Sequence, residues 1–277
     1  MHIEIRNVKS VICHSLQVLL IGVLLCSRAL AAELTPIPCA VGNKWEYDTV
    51  KLVRATLRFD GRTLSAFRDA SYGSSVYEVI GADTKDGVPV YDYREITRTW
   101  SASGGDTHSE TTELKIVGEN GVLRILSSRT ESSSENEPDK QEYDPPLLYF
   151  SAAEAVAAKS WNVGVMRERE TKCTMSARGV GRETVIVPAG TFADCLKVVY
   201  SGDNVSGTMD LWNKPFTITG GRSCGVYWIA EGIGVVKELE VATTIAETDG
   251  PGGEKLTLEA ASCTVSELKP GYVIRKK

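Results

Sequence analysis

The sequence predicts an all-β fold: an antiparallel meander forming a curved sheet, half-open barrel or sandwich, with one short helix near 151–159. Three observations predict it. Past residue 32 the chain runs in segments that alternate polar with apolar or aromatic residues, the period of a half-buried strand. Turns rich in Gly, Asn and Asp punctuate those segments. Only residues 151–159 (SAAEAVAAK) have a helical composition, and about two turns of helix persist only when docked on a larger element.

Taken in order, residues 44–50 (KWEYDTV) interleave charged side chains with Trp45, Tyr47 and Thr49. Residues 76–80 follow, then a polar turn over 82–87, a long strand over 88–100 and a turn at 103–106. Strands over 111–117 and 122–130 flank Asn120-Gly121, a strong hairpin signal. The acidic, Pro-containing stretch 131–146 reads as a linker between an N-terminal β half (32–130) and a C-terminal one (147–277), the two making one composite domain. Strands resume over 161–176, 183–187, 195–200, 208–219, 225–230, 235–244 and 255–265, rich in Thr, Val, Ile and aromatic residues. Lys44-Trp45 and Lys159-Ser160-Trp161 each place Lys near Trp at the start of a strand series.

The first 31 residues read as a secretory leader. Arg6 and Lys9 precede an apolar run over 16–26, and Ala29-Leu30-Ala31 supplies a cleavage signal. That run is about eleven residues, whereas a spanning helix needs about twenty. The bulky Leu25 before Cys26 departs from a lipidation signal. An exported protein of the periplasm or exterior, with no retained membrane span, is expected. Processing removes Arg6, Lys9, Arg28 and Glu4, taking the net charge from −5 to −7. That acidity excludes an electrostatic case for nucleic acid. It leaves His108 as the single histidine, expected on an exposed loop.

Export permits disulfides. Of the five cysteines in the mature chain, Cys173, Cys195, Cys224 and Cys263 fall in or beside predicted strands and are candidates for structural bridges, in any of three connectivities. Cys39 is the odd one. No two cysteines have metal-knuckle spacing, so no metal is expected.

Three patterns stand out: Val41-Gly42-Asn43-Lys44-Trp45-Glu46-Tyr47, the hairpin Val187-Pro188-Ala189-Gly190-Thr191-Phe192, and Ala230-Glu231-Gly232-Ile233-Gly234-Val235-Val236-Lys237. In the hairpin, Pro188 ends one strand, Gly190 sits in the turn and Phe192 packs beneath it. In this order the patterns resemble a broad group of bacterial secreted and lipoprotein-like β-proteins, some of them half-open barrels similar to periplasmic lipoprotein carriers. The resemblance implies fold and compartment, and it brings no catalytic residues.

The chemistry that remains is narrow. One histidine, no G-x-S-x-G, no phosphate loop and no H-E-x-x-H exclude the common nucleophilic and zinc hydrolases. No cofactor is expected. Acid pairs such as Asp92 and Glu95, or Glu238 and Glu240, could serve glycoside hydrolysis, but acids along a strand read first as its solvated face. Trp45, Trp100, Trp161, Trp212 and Trp228, with Tyr227, could line an apolar cavity or form the core. The expectation is a non-enzymatic cell-envelope protein that binds a lipid or other hydrophobic ligand, or an envelope protein. Alternatives are an interaction module pairing through sheet edges and a carboxylate-dependent glycan hydrolase.

Overall fold

In the computed structural model, which describes residues 38–275 apart from 103–106, 134–136, 169, 212–213 and 251, strands dominate as the alternation predicts. The expected leader and Trp212 lie outside the described residues. The strands are β1 (Lys44–Phe59), β2 (Arg62–Lys85), β3 (Val88–Ser101), β4 (Thr107–Glu119), β5 (Val122–Ser132), β6 (Asp139–Ser151), β7 (Ser160–Glu168), β8 (Thr171–Val187), β9 (Gly190–Leu211), β10 (Lys214–Ala230), β11 (Gly234–Asp249) and β12 (Lys255–Leu268). One helix, α1 (Ala152–Val156), stands between β6 and β7.

All twelve strands belong to one antiparallel sheet, ordered β6-β5-β4-β3-β2-β1-β12-β11-β10-β9-β8-β7. Each strand pairs with its neighbours in sequence except β6 with β7, and β1 pairs with β12 over Tyr47↔Leu268 to Phe59↔Leu256. The hairpins rest on local chemistry. Asp60-Gly61, Asp86-Gly87 and Asn120-Gly121 all have positive φ at both residues, the two-residue turn whose twist suits an antiparallel pair.

The sheet curls until its edge strands, β6 and β7, face each other across a seam with no ladder. Their connection contains α1 instead of a tight turn. The Tyr200 hydroxyl donates to the Tyr149 carbonyl at 2.9 Å, and Phe150 meets Trp161 edge-on with ring centroids 6.3 Å apart. The Ser151 Oγ caps α1 by accepting from the Glu154 amide.

The expected linker is corrected here: from Asp139 onward it is strand β6, paired with β5. Tyr143, Leu147, Tyr149 and Phe150 are buried, which a linker would not require. The ladder steps from Ser127↔Glu142 to Ile125↔Leu147, and Pro145 and Pro146, which lack an amide donor, fall in the gap. That interruption made the segment read as linker. Both expected halves contribute to one sheet and one core.

Candidate functional site

Inward side chains form stacked layers. In the upper layer Trp45 donates to the Ile233 carbonyl and Tyr47 to the Val235 carbonyl, both at 2.7 Å. Tyr200 meets Tyr227 edge-on at 5.2 Å and Trp161 at 6.3 Å. Trp45, Trp161 and Tyr227 are thus buried members of one hydrophobic core. Hydrogen-bonded aromatic packing fills the space that a hydrophobic guest would need. Of the other tryptophans of the expected cavity that the structure describes, Trp228 is buried in the same core and Trp100 is not. Trp100 is 46% exposed on the outer face. Trp228 alternates with inward Tyr227 and is covered by Glu183, to which its indole nitrogen donates, and by Lys197, whose ammonium lies 5.0 Å from its ring centroid.

Beneath the aromatic layer the interior becomes polar. Thr49 and Lys51 of β1, Ser75 and Tyr77 of β2, Glu95 and Thr97 of β3, Glu110 of β4, Glu238 and Glu240 of β11, and Thr264 and Ser266 of β12 line a chamber of about 40 Å³. Ser75 and Thr97 are 2.9 Å apart, Thr97 donates to Glu95 at 2.8 Å, and Tyr227 donates to Glu240 at 3.0 Å. Burial pushes the Glu95 carboxyl up to about 8, with Glu238 adding repulsion. Burial likewise raises Glu238 and Glu240, Glu240 adding to the first and Glu95 to the second. Lys51, 3% exposed, supplies the buried positive charge. The chamber has room for about two waters and is far too small for a sugar ring. Among the described residues no three acids, histidines or cysteines stand close enough to share a metal ion.

These placements correct the solvated-face reading for three of the four acids weighed. Glu238 and Glu240, two apart on one strand, both face inward. Glu95 faces inward, while Asp92, three residues earlier, points out and pairs with Lys115 at 3.4 Å. His108 is also displaced from its expected loop. It lies in β4 with its Nε2 3.9 Å from the Glu110 carboxylate. Sequence reasoning missed Lys51, whose surroundings KLVR look like an ordinary half-exposed strand.

On the opposite side of the same stretch of sheet the outer face is apolar. Register aligns Trp100, Tyr72, Val50, Val265 and Leu239 in one row across β3, β2, β1, β12 and β11. The next row aligns Ala70, Leu52, Cys263, Val241 and Cys224 across β2, β1, β12, β11 and β10. Leu52 is 54% exposed and Tyr72 48%. Polarity is therefore inverted locally: β11 turns Glu238 and Glu240 inward and Leu239 and Val241 outward. Strand and row spacings give the band an area of roughly 350 Å².

The disulfide expectation is not met: none of Cys39, Cys173, Cys195, Cys224 and Cys263 is joined in a disulfide, and the Cys39 Sγ lies 3.2 Å from the Tyr93 hydroxyl. Cys173 and Cys195 are buried, at opposite ends of the β8–β9 ladder. Cys224 and Cys263 face outward with Val241 of β11 between them, two strand spacings or about 10 Å apart, beyond disulfide reach. The hairpin residues lie in their expected element. Val187 pairs with Gly190 across Pro188-Ala189, and half-buried Phe192 packs on the core.

No family model and no curated protein matches the chain. Three solved structures overlap it loosely. A protein of Parabacteroides distasonis described as a lipoprotein has 14% identity and a TM-score of 0.32, covering 83% of this chain and 96% of that one. An exported protein of Bacteroides fragilis with a YmcC-like fold has 12% identity and a TM-score of 0.28, covering 82% and 95%. The transport unit of the autotransporter AIDA-I from Escherichia coli has 9% identity and a TM-score of 0.19, covering 95% and 97%. At such scores the likeness carries no argument. No helix among the described residues is long and apolar enough to cross a membrane.

Proposed function

We propose that this chain is a non-catalytic, exported module of the bacterial cell envelope that binds a lipid on the outer face of its sheet. The inverted polarity of β1, β11 and β12 carries the reading. Ordinary alternation would bury Val50, Leu52, Leu239 and Val241 and expose Glu238, Glu240 and Lys51. The fold does the reverse and leaves an in-register apolar band, comparable to the largest patch a monomer exposes, which is often functional. The filled interior speaks against a guest inside the sheet. The band is also smaller than the roughly 800 Å² per partner of a stable protein interface. Charged rows border it, with Arg54 and Arg68 on one side and Asp48, Glu267 and Lys237 on the other, which suits peripheral contact and not a bilayer-spanning belt.

Native mass spectrometry of gently purified processed protein tests this. The wild type should carry an adduct of lipid mass that leaves on denaturation. Leu52→Lys, at an outward position, should lower its occupancy about tenfold or more, the worth of one buried leucine. A clean apo mass in the wild type would count against lipid binding, and an adduct indifferent to L52K would move the ligand off the band. A second reading, hydrolysis by paired carboxylates, is favoured by Glu95, Glu238 and Glu240 sharing one chamber. It requires a glycan to reach a space of about 40 Å³. Turnover of cell-wall polysaccharide that E238Q abolishes would establish it.

A further inference from the structure

Resting on the lipid reading, we infer that the ligand is an anionic phospholipid of a membrane surface, its phosphate held between Arg54 and Arg68. These arginines face each other directly on β1 and β2, one outward step beyond Leu52 and Ala70. Like charges opposed across a ladder destabilise a sheet unless something neutralises them. Neither arginine has an ion pair or hydrogen bond to a described residue. Three other cations of this face have acidic partners, whereas Arg98 of β3, in the Asp48 row, has none among the described residues. Lys269 lies 3.2 Å from Asp48, Lys237 is bonded to Glu267, and Arg222 is 3.6 Å from Asp203.

Arg54 and Arg68 also line an outer groove of about 840 Å³, whose one acidic wall residue, Glu259, is engaged by Arg58 at 3.0 Å. The groove thus offers two uncompensated guanidinium groups about 7 Å, one same-face step along the strand, from the apolar band. A guanidinium binds phosphate oxygens through a planar fork of N–H donors, and two of them can share one phosphodiester. Acyl chains on the band and a phosphate at the arginine pair match the polarity of an anionic phospholipid. A neutral hydrophobic ligand would leave the pair unanswered.

Co-sedimentation with vesicles tests the assignment, comparing phosphatidylcholine alone with phosphatidylcholine containing phosphatidylglycerol. The processed wild type should partition into the anionic vesicles about 30-fold better, the worth of two arginines at an anionic surface. Arg54→Gln with Arg68→Gln should bring that preference down to the phosphatidylcholine level while leaving the Tm unchanged or higher, since it removes a like-charge contact. L52K should weaken binding to both vesicle types. If the double variant keeps the wild-type preference, the phosphate site is elsewhere. Equal wild-type binding to both vesicles would overturn the anionic headgroup while sparing the lipid reading. Binding to neither would remove both.

Discussion

A carboxylic acid that stays protonated near neutrality can donate a hydrogen bond as well as accept one, and Glu95 is placed to do both beside Thr97 and Tyr77. Its raised pKa has a definite consequence for stability. Below the unfolded value of about 4.3 both states are protonated, so folding incurs no ionisation cost. As pH rises toward about 8 the unfolded carboxyl ionises first, and stability falls through that window. Thermal melts from pH 5 to pH 8 should therefore show a declining Tm. Glu95→Gln should lessen the decline, to which Glu238 and Glu240 still contribute, and gain about 1 kcal/mol at pH 8, or roughly 2–4 °C. A Tm that rises over the same range would contradict a buried protonated acid. The cysteines permit a second test. Burial pushes the Cys173 thiol up to about 11 and raises Cys195, whereas Cys224 is exposed. A thiol reagent should label Cys224 rapidly in the native protein, Cys263 more slowly, and all five in denaturant. Only three labelled in denaturant would reveal a bridge.

At the scale of elements, α1 is kept by its dock on β8. The helix lies over Gly179, where an added Cβ would overlap the Ala155 carbonyl. Gly179→Ala should thus lift α1 off the sheet and cost about 2 kcal/mol, near the middle of the overpacking range. The melt should move down by roughly 4–8 °C. An unchanged Tm would mean that the helix does not contribute to closing the seam. The hairpins need no such help. Asp-Gly and Asn-Gly turns set their own twist, which is why Asn120-Gly121 is legible in the sequence without any tertiary contact. β6 was not readable, because Pro145-Pro146 removes two donors and only burial of Tyr143 and Leu147 declares the strand.

For the whole molecule, twelve strands in ring order with one missing ladder make a cylinder that is hydrogen-bonded across β1–β12 and packed by side chains across β6–β7. Hydrogen exchange should find the seam-facing amides of β6 and β7 much faster than those of the β1–β12 ladder. Equal protection would mean that the seam is laddered in solution. The two six-strand runs, β1–β6 and β7–β12, begin with Trp45 and Trp161, and both tryptophans enter the upper layer.

The sequence by itself determined the all-β class, the antiparallel order of hairpins, the docked helix and the Pro188–Phe192 turn. Each follows from period-2 alternation or turn chemistry within a few residues. Parity along a strand also decides which residues share a face, so Glu238 with Glu240 was legible as a pair and Asp92 with Glu95 was not one. Parity does not say which face turns inward. That choice came from joining β1 to β12, residues some 200 positions apart, and curling the sheet, which committed the polar face of β11 to the chamber and the apolar face to solvent. The Cys224–Cys263 pairing was decided the same way, because strand order places Val241 between them. Local chemistry specifies alternation, and only the curled sheet gives it an inside.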